Sequence, residues 1–484
     1  MLILVTALCI VIFASAILIG RIMAGRSLRR LEMLIDQVRP LCQHPDAQPA
    51  ALAALHKAEE EHKALQGKYL EDLIDRSNAA YLALQTASRE ASVSVLASDS
   101  ARRKEVSAGL EGVVAFETAL GQVFGEEGRL VYRGLNAVDL AVEHSIESVW
   151  LLLREGRLPD AATLLTFKKR VEKAGILSRG EIDLVRKLRG EQPLSALRTA
   201  ISAIANKRDF KPWLDRDLAE VDSEIMALTA ITPAVIEVLR TGKAPIKKPG
   251  NTGYAQRYLW GVLGSKPSEL QTKAIETYMI LTMDHGSSAS TFSGRVTVST
   301  GADVGAALSA AIATLSGPLH GGAPGPVLDM LDAIGTRENA EPWVKEQLGK
   351  GRKLMGFGHR VYRTEDPRAR TLRYVAERLD SPRVELARAV ELTILAALEE
   401  RQKAKATRFG TSVRTLRVNV EFWTAVVLDH VGIPRSLFSS TFCASRMIGW
   451  GEQIREQIRD NKLFRPLSKY IEPASALYLK GKLT

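Results

Sequence analysis

The sequence predicts an all-α protein that carries a short β element near the start of its compact part. Apolar residues recur at three- and four-residue intervals in "ADVGAALSAAIATLSG", "GPVLDMLDAIG", "RVELARAVELTILAALEERQKA" and "EFWTAVVLDHVGI", the spacing that gathers them on one face of a helix. Each run ends near a glycine or a basic turn, where helices stop. Strand-like alternation is scarce. The exception is "GLEGVVAFETALGQVFGEEGRLVYRG", whose β-branched pairs flank a Gly-Glu-Glu-Gly turn and predict two short strands. No internal repeat is visible.

The first residues read differently from the rest. Residues 2–20, "LILVTALCIVIFASAILIG", carry no charge, and about 20 apolar residues span a bilayer as a helix. Arg21, Arg26, Arg29 and Arg30 follow at once with no Lys or Arg before them, so the positive-inside rule places the amino terminus outside and the remainder in the cytoplasm. Residues 1–26 are therefore expected to form a transmembrane anchor. Two other readings stand beside it: a cleaved secretory signal, against which the missing basic n-region counts, and a start further downstream, such as Met33. Residues 27–107 read as a helical stalk. Leu28, Leu31, Leu34, Ile35 and Val38 keep helical spacing, Pro40, Pro45 and Pro49 break it, and a polar, Ala-rich helical stretch resumes to about Ala97. His44, His56 and His62 show no metal-pair spacing there. From about residue 108 to 484 the texture is that of a compact domain.

Composition bounds the function without choosing it. A chain of 484 residues with 46% apolar and 25% charged residues can bury a large core. Its net charge of +11 suits nucleic acid, an anionic membrane or a polyanionic small substrate alike. No zinc-like Cys/His spacing and no RNA- or DNA-binding signature is present, so nucleic acid is set aside. Cys9, Cys42 and Cys443 lie too far apart to be a disulfide framework and fit a reducing compartment.

Candidate chemistry gathers around histidines framed by glycines. In "SGPLHGGAPGP", four glycines and three prolines surround His320. Such a segment cannot be a helix interior, and its glycines allow a ligand to come close to the backbone. A helical pattern begins near Pro326, and a nearby helix amino terminus would keep His320 neutral and able to donate a hydrogen bond. "GRKLMGFGHRVYRTEDPRAR" frames His359 in the same way and adds Arg363, Arg368 and Arg370. A surface charge cluster explains those arginines but not the glycines; a core histidine explains His359 but not its basic neighbours. His285, in "LTMDHGSSAST", stands where a helix ends, a position also common for a satisfied core histidine. His144 and His430 lie in amphipathic helical patterns and read as structural. Arginine forks bind carboxylates bidentately, and two neutral imidazoles can polarise two carbonyl oxygens. With a carboxylate base, the set would act on a small dianion with an activated carbonyl, while basic residues could hold a polyphosphate.

"GPLHGGAPGPVLDML", "LMGFGHRVYRTEDPRA" and "NVEFWTAVVLDHVGIP…FCASRMIGW" resemble the citrate synthase family, in its bacterial citrate and 2-methylcitrate synthase branch, over roughly residues 108–484. The resemblance implies a helical fold of a large and a small domain (the small one roughly residues 322–432) that close over the substrates, and a homodimer with a shared active site. It implies condensation of oxaloacetate with acetyl-CoA, or propionyl-CoA in the alternative branch, with the coenzyme A thioester as a substrate and no metal or redox cofactor. By the same resemblance, His320 matches the residue that stabilises the thioester enol, and His359 the one that polarises the oxaloacetate carbonyl. His285, Arg368 and Arg446 match the carboxylate-binding set. Arg465, in "LFRP", matches the arginine that reaches into the neighbouring subunit's site, and Arg363 a contact to coenzyme A phosphates. Residues 1–107 have no counterpart in the ordinary family pattern. Two departures stand out. The family's usual base is an aspartate in an "N-x-D" context, whereas "NVE" places Glu421 there. "DHGSSAS" also lacks the bulkier residue and amide that many relatives carry after the histidine. A catalytically silent, membrane-anchored scaffold is the reading from another class.

Overall fold

The turn Gly125-Glu126-Glu127-Gly128 reverses the chain between β1 (Gly121–Phe124) and β2 (Arg129–Tyr132), which pair antiparallel with Gly121 opposite Tyr132 and Phe124 opposite Arg129. A third strand, β3 (Leu135–Asn136), continues the meander against β2. The two long strands are those expected; the third is too short for alternation to mark it. In this computed structural model the residues described are 56, 107–320, 324–358, 361–409 and 416–469. The chain divides into two units, of which the larger is Val114–Tyr470. The expected anchor (1–26) and nearly all of the stalk (27–107) lie outside the described residues. Among the described residues no helix is long and apolar enough to cross a membrane.

Helices make up the rest of the larger unit. They run as α1 (Ala137–Glu143), α2 (Ile146–Glu155), α3 (Ala161–Ala174), α4 (Arg179–Arg186), α5 (Pro193–Lys207) and α6 (Leu218–Thr241). Next come α7 (Tyr254–Leu263), α8 (Glu269–Thr282), α9 (Ala289–Ser299), α10 (Val304–Leu315) and α11 (Pro324–Ile334). The series ends with α12 (Ala340–Gly349), α13 (Pro367–Arg378), α14 (Val384–Phe409), α15 (Val420–His430) and α16 (Phe438–Arg459). Local sequence sets many of the boundaries. Side chains of Ser145, Asp160, Ser178, Asp217, Ser268, Ser288, Asp303, Asp366 and Asn419 cap the first turns, each accepting from an N–H that the helix leaves without a partner.

α16 is the axis of the core. It is buried along nearly its whole length and packs on α2, α5, α6, α8, α9, α10 and α11. Its polar residues are buried too, so they must pair inside the protein. Glu452 accepts from the Trp150 indole (3.0 Å) and meets Arg154 (3.3 Å), while Asp222 joins Arg154 (2.9 Å) and Arg455 (2.8 Å). This network ties α16 to α2 and α6. Further along, Gly449 lets α16 cross the end of α8: a Cβ there would stand 2.1 Å from the Met283 carbonyl oxygen. That crossing brings α16 against the Asp284–His285 segment. Helices α11 to α15 pack largely on one another, α13 and α11 against α15 and α12 against α14.

Candidate active site

His320 sits in the turn after α10, its backbone N–H donating to the Gly317 carbonyl (2.9 Å). The imidazole is held from the start of α9. Ser290 lies in the first turn of that helix, where backbone N–H groups lack helical acceptors, and its N–H donates to His320 Nε2 (3.3 Å). The Ser290 hydroxyl meets the same nitrogen at 2.7 Å. A backbone N–H can only donate, so Nε2 is an acceptor and the proton of the neutral ring resides on Nδ1. Burial, with the nearby Arg446 charge, pushes the imidazole down to about 4. His320 is therefore neutral at pH 7, as expected. The cause differs from the expected helix dipole: desolvation is the main one and a buried guanidinium the second.

Glu421 stands in the first turn of α15, two residues beyond the Asn419 cap, whose side chain accepts its N–H (3.0 Å). Asn419 also binds backward to the glycine-rich segment. Its N–H donates to the Gly356 carbonyl (2.9 Å), its amide to the Gly358 carbonyl (3.0 Å), and Gly358 N–H donates to the Arg417 carbonyl (2.8 Å). Phe357 and Val418 form an isolated antiparallel β-bridge between these two segments. Gly356 takes φ +84°, and a Cβ there would come within 2.8 Å of Phe422, so glycine serves both the turn and a close approach. The chain reaching residue 359 is thus fastened to the residues that launch Glu421. Burial pushes the Glu421 carboxyl up to about 7, with Arg368 pulling it down, Asp366 raising it and Arg446 lowering it.

Arg368 and Arg446 supply two buried positive charges. Asp366 caps α13 and grips Arg368 through two contacts, Nε to Oδ1 (3.0 Å) and Nη2 to Oδ2 (2.8 Å). The same carboxylate accepts from Val420 N–H at the start of α15 (3.1 Å), so one side chain sets Arg368 and Glu421 in register. Burial works against the Arg368 charge, but Asp366 and Tyr362 hold its guanidinium above the usual value. Arg446, on α16, donates to the Thr282 carbonyl (2.7 Å) and toward the Ser288 hydroxyl (3.4 Å), and stacks over Phe442 (4.8 Å). Burial lowers it against the attraction of Asp284. The Arg446 charge acts on both His320 and Glu421.

Three more candidate residues can be placed. His285 follows α8 and packs edge-on to Tyr362 (5.8 Å between rings). Its neighbour Asp284 is buried, accepting from Gly286 N–H (3.0 Å) and Gln453 (3.1 Å), and burial raises its carboxyl. Arg363 lies near the surface beside the β1–β2 turn: its N–H donates to the Gly125 carbonyl (2.9 Å) and its Nε is 3.7 Å from Glu126. A Cβ on Gly125 would meet the Val361 carbonyl at 2.3 Å, so the hairpin buttresses this loop. Arg465 is exposed, just past Phe464, whose ring meets Phe116 (6.2 Å) and Phe292 (5.6 Å). His359 lies outside the described residues.

Sequence reasoning missed Ser290, Trp450, Asp366 and Asp284. Asp366 carried a usable signal, an Asp-Pro pair opening a helical pattern, the signature of a cap with proline at the first helical position. Ser290 and Trp450 carried none, because they meet across 160 residues of chain.

The family described as "Citrate synthase, C-terminal domain" matches residues 109–467. The putative citrate synthase 2 of Mycobacterium tuberculosis is 37% identical over 375 residues, covering 75% of this chain and 92% of that protein. Citrate synthase 2 of Bacillus subtilis is 35% identical (75% and 95% covered), and the 2-methylcitrate synthase of M. tuberculosis is 35% identical (76% and 91%). Among solved structures, the citrate synthase of Thermoplasma acidophilum, in ternary complex with carboxymethyl coenzyme A and oxaloacetate, superposes with a TM-score of 0.67 at 30% identity, covering 77% of this chain and 97% of that one. The enzyme from Pyrobaculum aerophilum gives 0.66 at 30% identity (76% and 92%). The chain belongs to the citrate synthase family.

Proposed function

We propose that the protein condenses acetyl-CoA with oxaloacetate to give citrate and coenzyme A. The observation that carries this reading is the Glu421 carboxyl, raised to about 7 in a site with a neutral imidazole at His320 and two buried guanidiniums. A base poised near working pH and a donor for the developing oxyanion are the two groups that a thioester carbon acid requires. In the step assigned to them, Glu421 removes a methyl proton while His320 Nδ1–H donates to the thioester oxygen. The resulting enol attacks the oxaloacetate ketone, whose oxygen His359 polarises. Arg368, Arg446 and His285 hold the carboxylates, and Arg363 a coenzyme A phosphate. Water then cleaves citryl-CoA, leaving citrate and free thiol. Closure of a small domain, roughly 322–432, would exclude bulk water during these steps. A homodimer in which Arg465 completes the neighbouring site, and attachment to the membrane through residues 2–20, belong to the same proposal.

A second reading, 2-methylcitrate synthesis from propionyl-CoA, draws on the relative of that name at 35% identity. One methylene changes binding by about 1–3 kcal/mol, so the ratio of kcat/KM for acetyl-CoA and propionyl-CoA, measured by thiol release with oxaloacetate, decides between them. A ratio above one in favour of acetyl-CoA supports citrate synthesis. A ratio below one supports the alternative, and no thiol release from folded protein with either acyl-CoA supports a silent scaffold.

A further inference from the structure

We propose that Trp450 is a positioning residue that sets the tautomer of His320 through the Ser290 hydroxyl, and so fixes which ring nitrogen carries the proton given to the substrate. This rests on the reading above for its catalytic meaning, but its geometry stands alone. The Trp450 indole N–H lies 3.2 Å from Ser290 Oγ, and both residues are buried. An indole nitrogen only donates, so Ser290 Oγ accepts there and must send its own proton elsewhere. Two acceptors are in range, His320 Nε2 at 2.7 Å and Ser288 Oγ at 3.2 Å. Ser288 Oγ already receives Thr291 N–H (3.3 Å) and Arg446 Nη1 (3.4 Å), which occupy its two lone pairs. The Ser290 proton therefore points at Nε2, beside the Ser290 backbone N–H. Both donors require the Nδ1–H form of the ring.

Without the indole donor the hydroxyl is free to turn. It can accept from Nε2–H, which is the other tautomer, and Nδ1 then has no proton to give. Dislodging a catalytic histidine from its working tautomer can cost as much as about 10⁴-fold in turnover. Here the backbone N–H still favours the working form, so a loss of about 10-fold or more is expected.

The test uses full-length protein with ¹⁵N-labelled histidine, the His320 signals being assigned by their absence in His320→Gln. In the wild type, Nε2 should resonate as an unprotonated, acceptor nitrogen and Nδ1 as a protonated one. Trp450→Phe keeps an aromatic ring but removes the donor. It should move both signals toward a tautomer mixture and lower kcat about 10-fold or more, while KM for oxaloacetate changes little. Ser290→Ala removes the hydroxyl that could accept from Nε2–H and leaves only the backbone N–H against that nitrogen, so it should keep the Nδ1–H signals, and adding it to Trp450→Phe should restore them. Wild-type tautomer signals in Trp450→Phe would overturn the proposal, and so would a fall in kcat with the tautomer unmoved. If Trp450→Phe does not fold, Trp450→Leu removes the same donor and keeps the Ser290 hydroxyl, and an unmoved tautomer there overturns the relay. The tautomer is read without turnover, so a wild-type protein that makes no citrate refutes the proposed function and leaves this inference to stand or fall on its own spectrum.

Discussion

Glu421 occupies an environment that costs the folded protein something. Its folded-state pKa of about 7 lies above the ordinary carboxylate value of about 4.3, so the folded form binds a proton more tightly than the unfolded one. Stability therefore falls as pH rises from the unfolded value through about 7, and the charged carboxylate at pH 8 is a burden. Glu421→Gln should accordingly raise Tm relative to wild type at pH 8, with the gain shrinking toward pH 5; an equal or lower Tm at pH 8 would show that the charge is well solvated. The same shift has a kinetic signature. A base works only when deprotonated, so kcat/KM should climb with pH through an apparent pKa near 7 and then level. His320, held near 4, stays neutral throughout that climb and contributes no limb. A profile flat from pH 5.5 to 8.5 would remove Glu421 from the base role.

Between elements, the site depends on backbone contacts that glycine permits. The pairing of residues 356–358 with 417–419, and the Asp366 carboxylate that joins Arg368 to Val420 N–H, bind three separate sequence segments into one support. Gly356→Ala would force a side chain into a φ +84° backbone against Phe422. A loss of about 1–3 kcal/mol in denaturant unfolding is expected, along with reduced turnover, and wild-type values in both would show that the pairing is loose. Part of this arrangement is legible in the sequence. Helical periodicity, the Gly-Glu-Glu-Gly turn and the glycine frames around His320 and His359 are local signals, and Glu421 and Arg446 lie in two stretches close together in the sequence, 419–434 and 442–450. The partners that tune these groups are not local. Ser290 reaches His320 across 30 residues and Trp450 reaches Ser290 across 160, and a serine or a tryptophan on a helical pattern reads as ordinary capping or packing until the fold unites them. The neutrality of His320 was similarly legible as a result but not in its cause, since burial and Arg446 are tertiary facts.

At the scale of the whole molecule, the account makes two further demands. If Arg465 completes the neighbouring subunit's site, Arg465→Ala and Glu421→Gln chains should each be nearly inactive, yet co-expression should restore activity. Half of randomly paired dimers would be mixed, each with one intact site of two, giving about a quarter of wild-type activity. Absence of complementation would place Arg465 in its own subunit's chemistry or in none. Membrane attachment through residues 2–20 is tested by fractionation. The full chain should pellet with membranes and resist carbonate extraction, whereas a chain beginning near Ser100 should not. Release of the full chain by carbonate would end that part of the proposal.

Turnover by Glu421→Gln bears most directly on the central claim, that a buried carboxylate deprotonates the thioester beside a neutral imidazole. Citrate and free thiol are measured together, at saturating oxaloacetate and acetyl-CoA, for wild type and variant. The account predicts one thiol per citrate from the wild type and a fall of about 10²–10⁴-fold in the variant, with oxaloacetate affinity nearly unchanged. A variant that forms citrate at the wild-type rate would contradict it.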